Sequence, residues 1–153
     1  MSRFILKKHF ATLQPLFALG KQLHEGTLEP KLRHLVLMRV SQINGCAYCL
    51  DMHSKDARVA GETEQRLYVL PAWREASFYS ARERAALAWC EALTQLPTHD
   101  QSVPDALYEE ARAQFDEKEL VDLTLLVTLI NSWNRINIAA QPEVGDYRPG
   151  MFD

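Results

Sequence analysis

The segment Asn44-Gly-Cys46-Ala-Tyr-Cys49-Leu-Asp-Met-His53 gathers the residue types that a redox reaction needs. Read as a helix at about 100° per residue, it puts Cys46, Cys49 and His53 at about 0°, 300° and 340°. All three share one narrow stripe. Residues three apart on a helix hold their Cβ atoms about 5–6 Å apart, so the spacing allows a Cys46–Cys49 disulfide after small adjustments. His53 follows one turn beyond Cys49 and can reach its sulfur. A helix that starts at Gly45-Cys46 adds backbone N–H groups and the positive end of a macrodipole, and both favour thiolate. Two thiols and a base suffice for a two-cysteine cycle. One sulfur attacks an oxidant and becomes a sulfenic acid, and the other condenses with it to a disulfide.

Other readings use the same residues. A zinc site on Cys46, Cys49 and His53 needs a fourth ligand, which His34 or His9 would have to supply, and no second close pair follows at finger spacing. A c-type haem site requires His directly after the second Cys, and position 50 is Leu. Plain core packing suits many free cysteines but leaves the aligned His53 unexplained. A thioredoxin fold lacks its βαβ pattern here. Cys90, in Leu87-Ala-Trp-Cys90, lies on the apolar side of a helix and reads as core. His9, His24 and His99 stand alone near helix ends or loops and read as surface. The Trp133-Asn134-Arg135 run puts polar groups in an apolar helix, where an interface or a pocket wall would give them partners.

The elements that must position this stripe read as helices throughout. A first helix spans about Phe10 to His24, and Gly26 closes it. Pro30 suits the first position of a second helix, which runs to about Ile43 before Asn44-Gly45 interrupts it. A third runs from near Cys46 to about Ala60, and a short one from Thr63 to Leu70. Ser80-Ala-Arg-Glu83 and Asp116-Glu-Lys-Glu119 are capping boxes that open further helices. Between them, Pro104 starts a helix that reaches about Phe115. The last helix, carrying Leu120 to Trp133, is apolar around almost its whole circumference and must be buried on more than one side. That apolar surface predicts a homo-oligomer. The expectation is a compact all-α single domain over residues 1–153, with roughly seven helices.

Composition bounds the function. The 153 residues are 47% hydrophobic and 24% charged, with net charge −3. That is ordinary globular composition, long enough for a core without crosslinks. Mild acidity argues against a nucleic-acid partner. No apolar run approaches the ~18 residues of a membrane span. The N-terminus MSRFILKKHF is charged on both sides of its apolar patch, unlike a secretory signal. Three cysteines in such a chain point to reactive thiols, metal binding or packing, and the expected location is cytoplasmic.

The run Ser41-Gln-Ile-Asn-Gly-Cys46-Ala-Tyr-Cys49, continuing to Asp51-Met-His53, resembles the signature of AhpD-like alkylhydroperoxidases in the carboxymuconolactone decarboxylase superfamily. Ser80-Ala-Arg-Glu-Arg-Ala-Ala-Leu-Ala-Trp and Ile130-Asn-Ser-Trp-Asn-Arg-Ile-Asn-Ile-Ala resemble its later helices, so the likeness extends over residues 10–140. The resemblance implies an all-helical fold assembled into trimers or hexamers. It implies reduction of hydroperoxides with electrons from a protein dithiol of thioredoxin-like or lipoyl type, without a cofactor or metal. By that resemblance Cys49 is the peroxidatic cysteine, Cys46 the resolving cysteine and His53 the base. The family usually has Glu twelve residues before the first Cys, in a proton relay, and here that position is His34. Decarboxylase members generally lack the CxxC pair, which puts a decarboxylase reading behind. A thiol-disulfide oxidoreductase or a non-catalytic redox sensor would use the same pair.

Overall fold

The computed structural model describes residues 2–96 and 103–151, and within them the chain is helical with no strand. Its helices are α1 (Phe10–His24), α2 (Pro30–Asn44), α3 (Ala47–Val59), α4 (Glu64–Val69), α5 (Ala81–Thr94), α6 (Asp105–Arg112) and α7 (Glu117–Ala140). The all-α architecture expected from the sequence is present. Both capping boxes form, Ser80 with Glu83 and Asp116 with Glu119, each satisfying two orphan N–H groups at a helix start. Pro30 opens α2 as its first residue. Helix α6 ends at Arg112, short of the expected Phe115. Gln114 and Phe115 N–H still bond to Ala111 O, and the guanidinium of Arg112 holds Phe115 O, so the chain turns and Phe115 drops into the core.

Helix α2 is the axis of the molecule. Its Leu32, Val36 and Val40 join one core cluster with Leu23, Trp89, Phe115, Leu123, Val127 and Ile130. Its Leu35 and Met38 join a second with Ala57, Leu67, Leu70, Trp73, Tyr79 and Leu87. One face of its apolar run therefore binds α5 and α7, and the other binds α3, α4 and Leu87 of α5.

Helix α7 lies against α1, α2, α3, α5 and α6. Helices of the same chain cover most of its apolar circumference, while Val121 and Ile138 stay exposed. Helix α1 is the contrasting case. Only Leu23 is buried in it, and Phe10 is 57% exposed, despite a run of apolar side chains. After Ala140, Gln141 takes a left-handed φ of 49° before Pro142, and the helix stops. No helix among the described residues is long and apolar enough to cross a membrane.

Candidate active site

The site begins at a turn. Gly45 has φ 68°, a conformation that disfavours other residues, and its N–H bonds to Gln42 O while Cys46 N–H bonds to Ser41 O at 3.1 Å. This is a Schellman closure of α2, and it delivers Cys46 as the N-cap of α3. The Cys49 N–H donates to Cys46 Sγ at 3.4 Å, the bond a capping side chain makes. Cys46 thus sits just outside the helix rather than in its first turn. Cys46 and Cys49 are joined as a disulfide, with Cα atoms 5.3 Å apart. The pair is sealed, at 1% and 0% exposure.

His53 lies one turn further along α3 at 8% exposure, and neither ring nitrogen has a hydrogen-bond partner. Burial, reinforced by the charge of His34, pushes its pKa down to about 3. His34, half-buried on α2, has a buried Nδ1 without a partner. Burial, with Arg33 and His24 nearby, pushes its pKa down to about 4. Both imidazoles are therefore neutral at physiological pH. The site holds the uncharged, unpartnered ring of His53 one turn beyond the disulfide, with uncharged His34 near enough to influence it. Among the described residues, no group of three or more His, Cys, Asp or Glu is placed to share a metal ion.

The polar residues of α7 find hydrogen-bond partners within the chain, and Arg135 also lines a surface cavity with Ile136 and Ala139. Asn44, just before the turn, donates to Asn131 Oδ1 at 3.0 Å and to Asn134 Oδ1 at 2.9 Å. Asn134 donates to Ser41 Oγ at 3.1 Å, and Asn131 to Thr94 Oγ1. The exposed Arg135 folds back on the Asn131 side chain and carbonyl. One more residue on this face, overlooked in the sequence, is buried Asn137, whose Nδ2 donates to Cys49 Sγ at 3.5 Å. The three-residue spacing Asn131, Asn134, Asn137 is the signal that could have found it.

The C-terminal segment braces α3 from its other side. Lys55 Nζ holds Asp51, Gly145 O and Tyr147 O, and the Tyr147 hydroxyl donates to Asp56 at 2.8 Å. Cys90 is buried, its thiol donating to Leu87 O, and burial raises its pKa far above the ordinary thiol value, with the Glu91 charge adding to the effect. It is core, as its helix face suggested. His9 and His24 are exposed, as expected, and His99 lies outside the described residues.

A model of the carboxymuconolactone decarboxylase family matches residues 11–92. The chain is 50% identical over 119 residues to the uncharacterized protein YdfG of Bacillus subtilis, covering 78% of this chain and 80% of that one. It is 34% identical over 112 residues to the uncharacterized protein YnjA of Escherichia coli, covering 73% of this chain and 60% of that one. Among solved structures, a protein of unknown function from Agrobacterium tumefaciens, provisionally described as the antioxidant defence protein AhpD, superposes with TM-score 0.89. The two are 34% identical over 96% of this chain and 100% of that one. The debrominase Bmp8 shares the fold at 20% identity and TM-score 0.80, over 92% of this chain and 74% of its own.

Proposed function

The chain belongs to the carboxymuconolactone decarboxylase family, in its AhpD-like branch, and from that footing we propose that it is a thiol-dependent hydroperoxide reductase. The observation that carries this reading is the buried Cys46–Cys49 disulfide with the unpartnered His53 one turn along the same helix. An ordinary core would leave no ring nitrogen unsatisfied, because each such group costs about 1–3 kcal/mol.

In the proposed cycle the neutral imidazole of His53 takes the Cys49 proton. The thiolate attacks the outer oxygen of a hydroperoxide. The S–O bond forms, the O–O bond breaks, and the leaving alkoxide takes the proton to depart as an alcohol. Cys46 then attacks the Cys49 sulfenic acid, and water leaves as the disulfide forms. A protein dithiol, of thioredoxin-like or lipoyl type, returns two electrons and two protons. In this reading His34, close enough to influence the titration of His53, passes protons between His53 and solvent. Because both sulfurs are sealed, hydroperoxide and reductant reach them only during a local opening of the helices around α3.

We place the reaction in the cytoplasm, where dithiol reductants are maintained. We also propose a homo-oligomer, a trimer or hexamer, with the exposed apolar residues of α1 as its contact surface. Sedimentation at micromolar concentration showing a monomer would overturn the assembly.

The activity is tested by peroxide consumption with a dithiol reductant, comparing the protein with Cys49→Ser. Turnover is expected in the first and none in the second. Mass spectrometry after one equivalent of peroxide should show the loss of two hydrogens within one crosslinked peptide. Sulfinic acid persisting on Cys49 with Cys46 still free would remove the resolving role. Absent peroxide consumption together with reduction of a model protein disulfide would make the protein a thiol-disulfide oxidoreductase. Neither activity would leave a redox sensor.

A further inference from the structure

We propose that Asn137 is a further catalytic residue, whose carboxamide N–H selects Cys49 rather than Cys46 as the thiolate of the reduced pair. This rests on the reading of Cys49 as the attacking sulfur.

Local geometry alone favours the other cysteine. Cys46 is the N-cap of α3, its sulfur takes the Cys49 N–H, and it stands at the positive end of the helix. Those features lower a thiol pKa. Cys49 lies inside the first turn with its own N–H already committed to Cys46. Its sulfur is wholly shielded from solvent, so negative charge there must be stabilised by protein donors.

Two groups can supply that stabilisation. His53 makes no hydrogen bond to the sulfur, and burial opposes the proton that would let it act as a cation. Asn137 stabilises the charge without ionising, since its Nδ2 is already 3.5 Å from Cys49 Sγ. A donor bonded to the charged form lowers the pKa of the acceptor.

The position of Asn137 is fixed by its neighbours. Asn131 and Asn134, on the preceding turns of α7, lock the Asn44 side chain, and Asn134 also holds Ser41. The same face of α7 thus sets the turn that carries Cys46 and delivers the donor to Cys49. Asn137 is itself buried, in a helix whose other inward positions are mainly apolar. A buried carboxamide is retained where it has a partner, and here that partner is a reacting sulfur.

The test is a titration of each thiol in fully reduced protein, read by thiolate ultraviolet absorbance in Cys46→Ser and Cys49→Ser backgrounds. The buried Cys90 stays silent in this range. Asn137→Leu should leave roughly tenfold less Cys49 thiolate at a given pH below the midpoint, the effect of losing one charge-assisted hydrogen bond. The Cys46 curve should not move. Asn137→Asp should shift Cys49 further in the same direction, and Asn137→Ser, which keeps a short donor, should restore part of the effect. In a glutathione buffer, Asn137→Leu should hold the disulfide more firmly by a similar factor, because its reduced form has lost the donor. If Asn137→Leu does not fold, the Asp and Ser variants carry the comparison.

Coincident Cys49 curves in folded variants would overturn the proposal. So would Cys46 ionising first in the unsubstituted Asn137 protein. No peroxide enters these measurements. A protein without peroxidase turnover can therefore pass them, and an active peroxidase whose Cys49 ignores residue 137 fails the proposal alone.

Discussion

Helix α2 is flanked by two buried polar clusters built in opposite ways. At one, the Glu91 carboxylate accepts from Arg39 Nε at 2.7 Å, Trp73 Nε1 at 2.9 Å and Arg74 at 2.5 Å. Burial pushes its pKa up, but these donors outweigh that and hold it below the usual carboxylate value. At the other, His53 and His34 keep buried ring nitrogens with no partner and remain uncharged. The Glu91 cluster carries charge and is satisfied. The histidine cluster is neutral, and its buried ring nitrogens are unbonded. A fully bonded cluster fixes helices in place, whereas the unbonded one keeps the capacity that chemistry requires.

Breaking the satisfied cluster should have the largest effect. Glu91→Ala leaves the part-buried Arg39 and the buried Trp73 N–H without their carboxylate and should cost about 3 kcal/mol in urea denaturation. The redox chemistry per folded molecule should be unchanged. A loss below about 0.5 kcal/mol would put Glu91 among ordinary surface positions.

Acid should act on the other cluster. The unfolded chain binds protons near the ordinary His value of about 6.5, while folded His53 resists them down to about 3. Between those values the unfolded state holds more protons, so stability falls as pH falls. For His53 the loss from neutral pH to about pH 5 should be about 2 kcal/mol, with His34 adding to it. Urea denaturation of the oxidised protein at both pH values should show this slope. His53→Gln should flatten it, and an equal slope in that variant would assign the acid sensitivity elsewhere.

The turn between the clusters can be tested more gently. A Cβ on Gly45 would meet nothing within 4 Å, so Gly45→Ala should report only the left-handed backbone, about 1–2 kcal/mol. A larger loss would mean that the turn also serves packing.

The smallest expected effect is the most specific to the site. His34→Glu puts a carboxylate where the chain has a neutral ring, and should favour the imidazolium form of His53 beside a thiolate. Peroxide turnover should rise by a few-fold at neutral and mildly acidic pH, with a lower apparent thiol pKa. An unchanged pH–rate profile in the folded variant would remove His34 from the proton path.

Much of this arrangement is legible in the residues. The CxxCxxxH spacing, Asn44-Gly45 and the two capping boxes are local signals, and the local structure follows them. What escaped was set by distance along the chain. Asn137 and Cys49 are 88 residues apart, and nothing local tells which side chain a buried amide will meet. The apolar circumference of α7 has the same pattern whether its cover comes from its own chain or another, and here its own chain supplies most of it. Phe115 fits a continuing helix by type, but the turn after Arg112 sends it into the core.

Cys90 makes the chain its own unfolding clock. The thiol is buried on α5 in the core and remote from ionisation, so a small alkylating reagent labels it only in molecules whose packing has come apart. Reduced Cys46 and Cys49 need no more than a parting of the helices around α3. In intact mass, native protein should therefore accumulate no adduct when oxidised and two when reduced. The adduct on Cys90 should grow in at the frequency of global opening, so one labelling time course separates breathing of the site from loss of the fold.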